Sequence, residues 1–83
     1  MIEKDIVVRL KEGVHARPAA TLVKGLSQFQ SDVTFLVKGK NINAKSILGL
    51  MSVAIRENEE IKVKVNGTDE METFQYIENY LQG

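Results

Sequence analysis

One side chain able to do covalent chemistry stands apart. His15 is the only histidine, and it lies in GVHARPAA, two residues before Arg17 and three before the only proline, Pro18. An imidazole with a free ring nitrogen is a nucleophile near neutral pH. The residues after it have helical spacing, so His15 falls at a helix start. There, backbone N–H groups lack intrahelical acceptors and the helix dipole favours an anion. A ring that attacked a phosphoryl donor would carry a highly charged group. The free N–H groups would stabilise it, and Arg17 would add charge-assisted hydrogen bonds. Pro18 stiffens the first turn, which has no use for its missing N–H, and Gly13 gives the loop conformational freedom. Spacing alone also admits a plainer reading, an exposed histidine that merely neighbours an arginine.

Ser46 opens a second segment, NAKSILGLMS. A serine at a helix start is most often only an N-cap, worth about 1 kcal/mol. A phosphate is also tolerated there, so the position could act as a switch without unfolding the domain, with Lys45 beside it. Ile47, Leu48 and Met51 each read first as core. On a helix this short some of them would stay exposed as a docking patch.

Changes in hydrophobic period place these residues. Residues 5–10, DIVVRL, alternate as a half-buried strand with Ile6, Val8 and Leu10 on one face. From Ala16, a stripe of Ala19, Val23 and Leu26, widened by Ala20 and Leu22, predicts a helix fading near Ser27–Gln30. DVTFLV, a KGK turn and NIN read as a hairpin over 32–43. Ser46 then begins a short helix weakened by Gly49. EEIKVKVNG is the clearest strand, with Ile61, Val63 and Val65 inward and Lys62 and Lys64 outward. Asp69 with Glu72 fits a capping box, and Met71, Phe74, Ile77, Tyr80 and Leu81 form the stripe of a last helix. The order is β-α-β-β-α-β-α. Each strand has one apolar face, so an α+β fold is expected, a four-stranded antiparallel sheet with three helices on one face.

Composition removes other functions. At 83 residues, with 43% hydrophobic and 27% charged residues, a single domain over 1–83 is expected. With no cysteine, disulfides, thiolate catalysis and Cys-based zinc sites are out, and one histidine makes a transition-metal site a poor fit. Eleven basic residues balance eleven acidic ones, and the aromatics are only two tyrosines and three phenylalanines, which disfavours direct nucleic-acid binding. No apolar run suits membrane insertion and the start lacks a signal-peptide pattern, so a cytoplasmic location is expected. There is no Gly-rich phosphate loop and no second general acid or base of the usual kind. No cofactor is expected, and the chain suits a covalent carrier rather than a self-sufficient enzyme.

GVHARPAA and NAKSILGLMS, at this separation and within this element order, resemble the two signature segments of the HPr family. HPr proteins are the histidine-containing phosphocarriers of the bacterial phosphoenolpyruvate-dependent sugar phosphotransferase system, and the similarity runs over essentially the whole chain. The resemblance implies an open-faced β-sandwich. His15 would accept a phosphoryl group on Nδ1 from phosphorylated enzyme I and pass it to sugar-specific enzyme IIA domains, with Arg17 steadying the phosphate. Ser46 would match the regulatory serine modified by HPr kinase/phosphorylase, the form that acts as corepressor with the catabolite control repressor in carbon catabolite repression. Ile47, Leu48 and Met51 would match the apolar patch that docks partners. VRLK, ARPAA and NAKSI-GLMS-A are similar also to the Crh paralogues. Those typically carry Gln in place of the histidine, act through the serine alone, and can exchange their first strand to form dimers. This chain keeps His15. It departs from the family at Glu12, where Ser, Thr or Asn is usual, and a carboxylate there would repel a phosphohistidine.

Overall fold

The computed structural model describes residues Met1–Gly83. The elements run β1 (Ile2–Val7), α1 (Ala16–Leu26), β2 (Asp32–Val37), β3 (Lys40–Asn43), α2 (Ile47–Met51), β4 (Glu60–Asn66) and α3 (Glu70–Gln82). The fold is the expected α+β open-faced sandwich. One four-stranded sheet has the order β1-β4-β2-β3, with every neighbouring pair antiparallel. Lys38 and Gly39 form the two-residue β2–β3 turn, both at positive φ (51° and 82°). That combination matches the turn to the twist of the flanking strands.

Period-2 alternation decides what the sheet buries. Val33, Phe35 and Val37 on β2, and Ile61, Val63 and Val65 on β4, turn toward the helices. Ala19, Leu22 and Leu26 of α1, Leu50 of α2, and Phe74, Ile77 and Leu81 of α3 close over them in one cluster. Each large apolar side chain fully removed from water contributes roughly 2 kcal/mol. The seam of α1 is narrower than expected, since Ala16 and Ala20 are exposed and Val23 half-buried. Met71 is exposed too, and Thr73 takes the buried position in the first turn of α3. No helix is long and apolar enough to cross a membrane.

β1 is displaced from expectation. It pairs over residues 2–7 rather than 5–10, Ile2 opposite Val65 through Val7 opposite Glu60 of the same chain. Lys4 shares the inward face with Ile2 and Ile6, which masks the alternation. Its ammonium lies 5.7 Å from the Phe74 ring centre. An inward charge is tolerated because β1 is an edge strand, and it also discourages edge-to-edge association.

Candidate functional site

The loop that carries His15 is pinned from three sides. Val8 N–H donates to the Glu59 carbonyl (2.9 Å), and the Val8 carbonyl accepts from Asn58 N–H (2.7 Å). Arg9 N–H donates to the Leu81 carbonyl at the end of α3 (2.7 Å). A turn over Leu10–Gly13, closed by Gly13 N–H to the Leu10 carbonyl (2.9 Å), puts Lys11 and Glu12 at its corners. Gly13 has φ +73°, and a Cβ there would overlap the carbonyl oxygen of Ile55, so only glycine fits. Val14 N–H then donates to that same carbonyl (2.8 Å), and the Val14 side chain is buried. With Val14 anchored inward and an extended backbone at His15 (φ −117°, ψ −161°), the imidazole is presented outward.

His15 is the N-cap of α1. Its carbonyl accepts the first intrahelical bond from Ala19 N–H (2.8 Å), while its side chain caps nothing. The N–H groups of Ala16 and Arg17 find no acceptor in the chain, and Pro18 has none to offer. The positive end of the helix is therefore uncompensated. The His15 side chain is 51% exposed, and neither ring nitrogen makes a hydrogen bond. Arg17 is exposed and makes no hydrogen bond or ion pair. His15 and Arg17 line one open cleft of about 530 Å³, together with the turn residues and Pro18. The cleft wall is tied to α3, where the Tyr80 hydroxyl donates to the Pro18 carbonyl (3.0 Å). Burial, reinforced by nearby Tyr76, pushes the Tyr80 phenol pKa up from its ordinary value, so it remains a donor. Glu12 does reach the ring, with Oε1 3.9 Å from Nε2.

Ser46 lies at the mouth of α2, in an extended conformation (φ −119°, ψ 122°). Its Oγ accepts from Gly49 N–H (3.0 Å), a complete N-cap. Leu50 takes the single core position of that helix, leaving Ile47 (41%), Leu48 (83%) and Met51 (51%) exposed. With one buried face on a five-residue helix, the other apolar side chains have nothing to pack beneath. Lys45 does not serve Ser46, because its ammonium donates to the Phe29 carbonyl after α1 (2.7 Å). α2 packs beside α1, on the same side of the sheet.

Two features were not read from the sequence. One is the clasp from Tyr80 and Leu81. The other is Asp69, whose capping box does not form. Its carboxylate accepts instead from Gln30 N–H (2.8 Å), Ser31 N–H (3.0 Å), the Ser31 hydroxyl and the Thr73 hydroxyl (3.2 Å). The Ser31 hydroxyl, with the Gln30 N–H next, holds the Asp69 carboxyl at a pKa of about 2.

The family described as "PTS HPr component phosphorylation site" matches residues 2–83. The chain is 43% identical over 82 residues to "HPr-like protein Crh" of Bacillus subtilis (strain 168), covering 99% of this chain and 96% of that one. It is 42% identical over 77 residues to "Phosphocarrier protein HPr" of Xylella fastidiosa (strain 9a5c), covering 93% and 86%. The crystal structure of a phosphocarrier protein HPr from Bacillus anthracis str. Ames superposes with a TM-score of 0.93 at 38% identity, covering 98% and 96% of the two chains. An open-faced sandwich with these matches defines a small phosphocarrier domain of the sugar phosphotransferase system. The chain belongs to the HPr family, and it is similar to the Crh proteins within it.

Proposed function

We propose that His15 takes a phosphoryl group from phosphorylated enzyme I and hands it to sugar-specific enzyme IIA domains. The lone pair of Nδ1 attacks phosphorus, and the bond from phosphorus to the donor breaks with its electron pair returning to the donor. The ring keeps its proton on Nε2. The incoming charge meets the free N–H groups of Ala16 and Arg17 and the guanidinium of Arg17. The observation that carries this reading is the half-exposed imidazole, unbonded at both nitrogens, at a helix mouth left uncapped. Intact-mass analysis after treatment with enzyme I and phosphoenolpyruvate tests it. One acid-labile phosphoryl group is expected, absent in His15→Ala. A chain that stays unlabelled while a control carrier is modified would sink the reading.

A second reading is favoured by the mouth of α2. Ser46 is a helix cap flanked by the exposed apolar side chains of Ile47, Leu48 and Met51. A phosphate on Oγ keeps acceptor oxygens near Gly49 N–H and adds charge beside an apolar surface, which changes what that surface binds. In this reading an ATP-dependent HPr kinase/phosphorylase modifies Ser46, and the modified domain acts with a catabolite control repressor. The label would come from ATP, survive acid and vanish in Ser46→Ala. Unchanged repressor binding by both the kinase-treated chain and Ser46→Asp would remove this reading.

A further inference from the structure

Glu12 is the only carboxylate lining the His15 cleft. Its side chain is 84% exposed and makes no hydrogen bond, so nothing ties it to the fold. It faces one particular ring nitrogen, with Oε1 3.9 Å from Nε2 of His15. Lys11 and Arg17, the other charged residues of the cleft, are cationic, and the free N–H groups of Ala16 and Arg17 are donors. None of these can take up a ring proton. We propose that Glu12 decides which nitrogen of His15 reacts. It holds the ring proton on Nε2 and keeps phosphoryl groups off that atom, so that Nδ1 is the nucleophile.

The proposal rests on the reading that His15 is phosphorylated on Nδ1. A neutral imidazole carries one proton, on either nitrogen, and the bare nitrogen holds the lone pair that attacks. A carboxylate only accepts, so beside Nε2 it favours the tautomer with the proton there. The separation of 3.9 Å is that of an ion pair, and one bridging water or a small turn of the free Glu12 side chain completes a hydrogen bond. In the transfer the Nδ1 pair forms the bond to phosphorus, the donor leaves with the pair of the broken bond, and Nε2 keeps its proton. The repulsion expected from position 12 works to the same end. A phosphoryl group bonded to Nε2 would stand beside the carboxylate, so that product is disfavoured more than the one on Nδ1. The two effects therefore share one sign. Because Glu12 is exposed they are modest, roughly two- to fivefold in the tautomer ratio at low salt, and they weaken as ionic strength rises.

The test uses the full chain with nitrogen-isotope-labelled histidine, as wild type, Glu12→Ala and Glu12→Lys. The first readout is the ratio of the two ring tautomers by nitrogen NMR at alkaline pH, where imidazole side chains are neutral. The proportion with the proton on Nε2 is expected to fall from wild type to Glu12→Ala, and further in Glu12→Lys, whose ammonium donates where the carboxylate accepted. The second readout is the position of the phosphoryl group after brief labelling with phosphoramidate, whose phosphorus–nitrogen bond breaks with its pair leaving on ammonia. The share on Nε2 is expected to rise in the same order, and both spreads to shrink at high salt. Either quantity staying at its wild-type value in both variants overturns the proposal, as does a salt-independent spread. Enzyme I placing the phosphoryl group of the wild type on Nε2 overturns this proposal and the Nδ1 assignment together. A chain that enzyme I leaves unlabelled removes the donor assigned above, while the tautomer ratio, read without any donor, still decides the role of Glu12.

Discussion

The mouths of α1 and α3 are built in opposite ways. At α3, Asp69 gathers four hydrogen bonds, three of them from Gln30 and Ser31 in the connection before β2. At α1, His15 offers no capping bond, two N–H groups lack partners, and the neighbouring guanidinium is free. One mouth ties its polar groups into the fold and the other leaves them without partners in the chain. Under the role proposed for His15, this is stability given up at a reactive site. The mouth of α2 stands between them, capped by Ser46 yet bordered by exposed apolar side chains.

The contrast can be broken at the backbone first. Gly13→Ala adds a Cβ at a positive φ and against the Ile55 carbonyl, so it should destabilise the protein by about 2–4 kcal/mol. A urea melt measures this. A loss under 1 kcal/mol would mean that the loop before α1 moves aside freely and is not rigidly held.

Acid probes the mouth of α3. The Asp69 carboxyl lies at a pKa of about 2 in the folded protein against an ordinary 3.8. Its contribution is therefore complete above the unfolded value and is lost as pH falls from about 4 through 2. Urea midpoints should drop across that window in the wild type, and the part due to Asp69 should be missing in Asp69→Asn. Equal slopes for the two proteins would show that the four bonds do not favour the charged carboxylate.

The smallest effects are mirror images. Ser46→Ala removes a cap and should cost about 1 kcal/mol, whereas His15→Ser supplies one and should gain about 0.5–1 kcal/mol. The second variant would be more stable than wild type and unable to take a phosphoryl group. A destabilised His15→Ser protein would show that the imidazole does structural work after all.

Local signals made much of this readable from the chain. Strict alternation in EEIKVKVNG, the serine before ILGLMS and the helical stripe after Pro18 each depend on neighbours a few residues away. The position of His15 at a helix start was legible for the same reason. Asp69 was misread because its partners, Gln30 and Ser31, lie 38 or 39 residues earlier, and a spacing of three to Glu72 imitates a capping box. β1 was misplaced because Lys4 interrupts the inward face while Val8 stays bonded beyond the strand end. Lys45 looked like a helper for Ser46 only because it is adjacent in sequence, whereas its ammonium crosses to Phe29.

The cleft is lined by one continuous stretch, Leu10–Pro18, but the bonds that hold this stretch reach far along the chain. Tyr80, Leu81 and Gln82 reach back to Pro18, Arg9 and Val7. During translation the histidine loop leaves the ribosome before any of its anchors at residues 55–59 and 80–82 exists, so an early nascent chain displays His15 on an untethered segment. The loop therefore gains its anchors in two stages, first from residues 55–59 and last from residues 80–82.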